Sequence, residues 1–319
     1  MFRQDSHIAS TLTLAGFKFM YAGFYHLNAD PFCLSPDPRF RFSHPSYNKA
    51  KAYMSYALQR AEGFVVVTGA PGTGKTTLIK EMVGTLNDTN FNIAQLVSTQ
   101  LSATDLLQLI AYSFGFADEG LDKATLLRRL QLHLVQQHHK QRKALLIVDE
   151  AQDLPQSALE ELRLLTNLDH NNQPLLQVFL VGQMQLFDLL QLDVMEQLRQ
   201  RIVAASEIIP LAKPEVERYV LHRLRIAGWN QDPRLDRNLF PHLDYFSNGV
   251  PRKINQVMSR LFLHGFVEDK HSLTAGDFSE VINEIKSERA SMSLLQSKGN
   301  NKPAQPLNPL LAKFSNANH

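Results

Sequence analysis

Apolar residues in this chain fall into short unbroken runs separated by longer amphipathic stretches. Phe64–Thr68, Asn92–Val97, Ala144–Asp149 and Leu175–Val181 read as strands buried on both faces, each followed by residues with a helical period. This alternation predicts an α/β fold, a parallel sheet with helices on both faces. A fifth short strand, Ser206–Ile209, closes the sheet before Pro210. Ahead of it all, Phe24–Phe42 is rich in Pro and aromatic residues and predicts an irregular, partly buried lead-in, followed by a helix over Tyr47–Arg60. Beyond Pro210 the pattern is helical throughout. Four helices are expected, around Pro214–Ala227, Leu235–Phe246, Pro251–Phe266 and Ala275–Ser287, forming a small all-helical domain. The expected division is an extension at 1–19, a core at 20–210, a helical domain at 211–288 and a polar, disordered tail at 289–319.

Composition changes this picture little. With 44% hydrophobic residues the chain suits a packed core, and 33 basic against 31 acidic residues leave a net charge of +2 that neither indicates nor excludes a nucleic-acid partner. The single cysteine, Cys33, cannot form an internal disulfide and is expected to be a small buried hydrophobe in a reducing compartment. No run approaches the length of a membrane span, and Thr11–Phe17 is short for a signal sequence, so the expectation is a cytoplasmic protein.

The chemistry concentrates behind the first strand. Gly69-Ala70-Pro71-Gly72-Thr73-Gly74-Lys75-Thr76 matches the whole phosphate-loop pattern between a strand and a helix that continues through Thr77. Its glycines let backbone N–H groups point inward around phosphate oxygens, and the helix N-terminus adds partial positive charge. Lys75 is suited to the β- and γ-phosphates of ATP and the Thr76 hydroxyl to Mg²⁺. Ala144–Val148 ends in Asp149-Glu150, a second element that agrees with the first. Asp149 is placed to hold Mg²⁺ through its water shell, and Glu150 to take a proton from an attacking water. The spacing of the two motifs leaves room for a strand inserted between their strands.

Four further residues are candidates. Gln183, at the end of Leu175–Val181, is suited to position the attacking water or to cap the next helix. Arg199 and Arg201 are suited to stabilise phosphoryl-transfer charge on a neighbouring subunit, or to form surface ion pairs. Arg252 follows Pro251 in the first turn of a helix, where the dipole disfavours a cation, which hints at a role toward the γ-phosphate. The basic run His138–Lys143 reads as a solvated loop, and His138-His139 lacks the supporting ligands of a metal site.

On these residues, together with FYHLNADPFCLSPDPRF, LLIVDEAQDLPQSALEELRLLTNL, LRQRI and NGVPRKIN, the chain resembles the general secretion pathway protein A (ExeA-like) AAA+ ATPases, in the branch found with exosortase and exopolysaccharide loci. The resemblance runs from Met20 to about Glu288. It implies an AAA+ P-loop core with a helical lid, Gln183 as sensor 1, Arg201 or Arg199 as arginine finger and Arg252 as sensor 2. It also suggests that Pro31-Phe32 and Tyr47 cover the adenine, and that the chain forms a homo-oligomer. Asp153 stands where the family usually has Asn, which leaves both Walker B acids intact. Some relatives continue into a transmembrane helix and a peptidoglycan-binding domain; the polar tail here predicts contact with envelope secretion or polysaccharide assembly proteins through a partner, at most peripherally at the inner membrane.

The leading expectation is an ATP-hydrolysing motor or switch for such a system. A DNA-associated helper ATPase is the alternative, against which no basic stripe or winged helix stands out. A slow nucleotide switch without turnover is a third reading, opposed by Glu150, and a small-molecule kinase a fourth, weakened by the lack of an acceptor site.

Overall fold

The five apolar runs pair into one parallel sheet in a computed structural model, which describes residues 20–86, 90–97, 102–116 and 120–299. The strands are Phe64–Gly69 (β1), Phe91–Val97 (β2), Lys143–Asp149 (β3), Leu176–Val181 (β4) and Ile202–Ile208 (β5). Their spatial order is β2-β3-β4-β1-β5. β4 is the strand inserted between β1 and β3, with Val178 beside both Phe64 and Leu146, while β2 lies at the edge beyond β3.

Strand alternation sorts the side chains onto two covers. Val66, Leu146, Val148, Val178 and Leu180 pack beneath Ala103–Ser113 (α4), Lys123–His139 (α5) and Gln156–Leu165 (α6). Val65, Val67, Leu145, Ile147, Phe179 and Val181 pack beneath Pro45–Arg60 (α2) and Lys75–Leu86 (α3). Two short helices, Met184–Leu190 (α7) and Glu196–Arg199 (α8), connect β4 to β5. Because β1, β3 and β4 are adjacent and parallel, their C-terminal ends open on one edge of the sheet, where α/β proteins bind ligands. β5 begins at Ile202, four residues before the expected start: Ile202-Val203-Ala204-Ala205 is apolar but lies on an edge strand that is only half covered. His138 and His139, expected in a loop, form the last turn of α5.

A second core belongs to Lys213–Ile226 (α9), Leu239–Ser247 (α10), Pro251–Val267 (α11) and Ala275–Gly299 (α12). The last helix runs past Ser287, so residues 289–299 of the expected tail are helical; the extension 1–19 and the remainder of the tail lie outside the described residues. The lead-in joins this core rather than the sheet. Met20–Phe24 (α1) lies against α11, and the rings of Tyr21, Tyr25 and Phe32 meet Phe262 edge-on at 5.7, 5.4 and 5.3 Å. Large aromatic side chains gain most where another aromatic surface receives them, and the helical layer supplies it. From Cys33 the chain crosses as a strap to α2, bridging the two layers. Among the described residues no helix is long and apolar enough to cross a membrane.

Candidate nucleotide site

The phosphate loop leaves β1 at Gly69 and closes on α3. Thr73 ties the loop to itself, its hydroxyl donating to the Ala70 carbonyl at 2.9 Å, and the Leu78 N–H to the Gly74 carbonyl, 3.0 Å, starts the helix. Lys75 is buried, with its ammonium donating to the carbonyls of Gly69 at 2.8 Å and Ala70 at 3.3 Å. Burial pushes its pKa down, opposed by the carboxylates of Glu150 and Asp149, and Arg252 adds to the lowering. The Thr76 hydroxyl donates to Asp149 Oδ2 at 3.2 Å, joining the loop to the end of β3. Burial raises the pKa of Asp149 and the Glu150 charge adds to it, while the Glu150 N–H, Thr76 and Lys75 offset part of the shift.

Glu150 adopts the left-handed conformation, φ 53° and ψ 38°, an uncommon backbone that turns its side chain out of the strand line and into the cleft. Gln152, which the sequence reading passed over, donates from Nε2 to Glu150 Oε2 at 2.9 Å and accepts the Gln183 N–H on Oε1 at 2.8 Å. The Gln183 side chain reaches the same Glu150 oxygen at 3.4 Å. Gln152 was recognisable only as the fourth letter of DEAQ, since its partner Gln183 lies 31 residues away.

The lid closes the cleft from above. The Arg252 N–H donates to the Gly72 carbonyl at 3.2 Å, and a Cβ on Gly72, at φ +85°, would lie 2.5 Å from Arg252 Cβ. Only glycine lets α11 settle this close to the loop. Gly69–Thr77 thus meets Glu150 and Arg252 in one place; Pro71 to Thr77, Glu150 and Arg252 line the cleft itself, and Gln183 reaches it through Glu150.

Arg199 and Arg201 do not line this cleft. The Arg201 carbonyl accepts from the Phe64 N–H at the start of β1, so Arg201 lies about 20 Å, a strand length, from the phosphate loop. Its guanidinium lies 3.4 Å from the Thr166 carbonyl and hydroxyl, and Arg199 pairs with Glu196 and donates to the carbonyls of Leu190 and Gln191. Any phosphate contact by either would have to be to another subunit.

The strap from Cys33 to Phe42 forms the remaining wall with Tyr219, Arg223 and Asn255 of the lid. Cys33 is half-buried at this wall rather than a core residue, because its carbonyl is drawn toward Arg223, 3.4 Å from Nη2. Phe32 is turned away into the lid core, and the Pro31 carbonyl accepts from Arg223 Nε, so this pair does not face the cleft as expected. Tyr47 does line the cleft, with its hydroxyl on Glu81 at 2.7 Å. Arg223 itself is buried, donates to the Tyr219 hydroxyl at 3.0 Å and lies 4.9 Å over the Phe40 ring.

The chain is also similar to several known proteins. A family model described as an AAA domain matches residues 58–190. General secretion pathway protein A of Aeromonas hydrophila is 35% identical over 267 residues, 83% of this chain and 48% of that protein. The Mu-like prophage FluMu DNA transposition protein B of Haemophilus influenzae is 36% identical over 107 residues, 34% of this chain and 35% of that protein. The chain therefore spans less than half the length of the curated relatives it matches. Among solved structures, the Aeropyrum pernix ORC1 protein in complex with DNA shares the fold with a TM-score of 0.62 at 16% identity, covering 84% of this chain and 72% of that one.

Proposed function

The chain is a P-loop NTPase of the AAA type, its AAA domain related to that of general secretion pathway protein A, and from that premise we propose that it binds and hydrolyses ATP with Mg²⁺. The observation that carries this reading is the joining of Lys75, the Thr76–Asp149 pair and Glu150 behind β1 and β3, two strands with β4 between them, under a lid whose Arg252 rests on the loop. Thr76 and Asp149 fit a hard divalent cation: both offer oxygen, they face each other, and the buried carboxylate has a raised pKa that a cation would offset. Bound Mg²⁺ would supply charge compensation at the phosphate oxygens.

The remaining steps fall to the protein's own groups. Lys75 exchanges its carbonyl partners for phosphate oxygens, the N-terminus of α3 holds further phosphate charge, and Glu150 accepts a proton from the attacking water. Gln183 orients that water, and Arg252 couples the state of the phosphates to the lid. Arg199 or Arg201 completes a neighbouring copy's site in a homo-oligomer. The output is conformational work on an envelope secretion or polysaccharide assembly system, from the cytoplasmic side.

The test is ATP turnover of the purified chain with Mg²⁺, for wild type and Glu150→Gln, with the mass followed by light scattering. Turnover lost in the variant and ATP-dependent assembly support the reading; tight ATP binding without turnover in the wild type replaces it with a nucleotide switch. The match to a DNA transposition protein favours a second reading, a DNA-associated helper. Stimulation of turnover by duplex DNA would select it.

A further inference from the structure

We propose that Gln152 is a positioning residue for hydrolysis: its amide holds one oxygen of Glu150 and ties that carboxylate to the end of β4. The inference rests on the ATP-hydrolysing reading and deepens it.

Gln152 sits one residue beyond Ala151, behind the left-handed turn at Glu150. Its amide makes two hydrogen bonds of opposite polarity, Nε2 to Glu150 Oε2 at 2.9 Å and Oε1 from the Gln183 N–H at 2.8 Å. A backbone N–H can only donate and an ionised carboxylate can only accept, so chemistry fixes the amide orientation without ambiguity. The other residue types considered lose at least one of the two bonds. Glutamate would turn a second acceptor toward Glu150, methionine or leucine would leave both partners unmet, and asparagine is a methylene short.

Gly182 makes room for this bridge. A Cβ there would lie 2.6 Å from Gln152 Oε1, closer than such atoms approach, and 3.3 Å from the Gln152 backbone nitrogen, a tight contact. The Gln183 side chain adds its Nε2 at 3.4 Å from the same Glu150 oxygen. Both amides therefore converge on Oε2, and among the described residues no hydrogen bond reaches Oε1. With Oε2 held, Oε1 is the oxygen presented to water. Because β4 lies between β1 and β3, any displacement of Gln183 by the terminal phosphate reaches Glu150 through a single amide.

The test uses the full chain with Gln152→Met and, separately, Gly182→Ala, alongside wild type and Glu150→Gln. Gly182→Ala displaces the amide without altering Gln152 or Glu150. Steady-state Mg-ATP turnover, ATP binding by a fluorescent analogue, and Tm are measured for each. Both variants should lose at least about tenfold in kcat while nucleotide affinity stays within about twofold, the pattern of a group that orients a reacting residue. A purely structural role would instead lower Tm and weaken binding while leaving kcat of the folded protein intact. Wild-type kcat in Gln152→Met overturns the proposal while the hydrolytic reading stands. A wild-type chain that binds ATP without turnover overturns both.

Discussion

Replacing Arg223 with methionine should loosen the strap and weaken ATP binding, while sparing turnover at saturating ATP. Arg223 reaches the strap from α9: it donates to the Pro31 and Cys33 carbonyls, binds the Tyr219 hydroxyl and covers the Phe40 ring. Methionine keeps the stem and its packing but supplies no donor. The Pro31 carbonyl is buried, and leaving it without a partner costs about 1–3 kcal/mol. Loss of the cation over Phe40 adds roughly 1 kcal/mol. Part of this is returned, because the guanidinium no longer has to be held out of water. A net loss of about 2–3 kcal/mol is expected in urea unfolding, within reach of an ordinary domain's stability. Because the strap walls the cleft, each 1.4 kcal/mol spent on reseating it lowers apparent ATP affinity about tenfold. Equilibrium binding of a fluorescent ATP analogue reads this directly. A variant with reduced stability but unchanged ATP affinity would refute the strap's part in the site; unchanged stability would refute the accounting itself.

Gly249→Ala should be costlier than its size suggests. Gly249 has φ +67°, and a Cβ would lie 2.0 Å from the Leu211 carbonyl oxygen, so the turn before α11 must move, at an expected cost of at least about 2 kcal/mol. Calorimetric melting and ATP binding should fall together, since Arg252 rides on that turn. Glu81→Gln tests the network behind Tyr47. Burial opposes the Glu81 charge, but Lys51 at 2.5 Å, the Tyr47 hydroxyl at 2.7 Å and Arg41 outweigh it and hold the carboxyl below its ordinary range. Its stabilisation is therefore present above the ordinary value of 4.5 and is lost as pH falls through the depressed folded value. With Arg41 and Lys51 half-exposed, the variant should lie about 1 kcal/mol below wild type at neutral pH and converge with it in acid. Urea titrations at pH 7 and pH 3.5 check the sign; a gap that widens in acid would reverse it.

What could be read from the chain and what could not divide along a physical line. Lys75 and Thr76 were legible from the Gly-rich pattern between a strand and a helix, and Asp149 and Glu150 because they stand where an unbroken apolar run ends; β1 and β3 are buried along nearly their whole length. The half-covered β5 was legible only at its C-terminal end, where Ile208 enters the core. Arg223 was not legible at all. In Lys213–Ile226 it stands among Arg218, His222 and Arg225, a pattern that reads as a solvated helix face. Its guanidinium is received by the Pro31 carbonyl, 192 residues away and just ahead of the strap. Gln152 hides for the same reason, a short-range neighbour of Glu150 whose meaning depends on the Gln183 backbone. Backbone partners leave no trace in residue type, so the groups that carry the phosphate chemistry announce themselves while those that hold them in place do not. The discriminating experiments on this protein therefore lie at Gln152, Gly182 and Arg223, whose contribution the sequence alone would not have suggested.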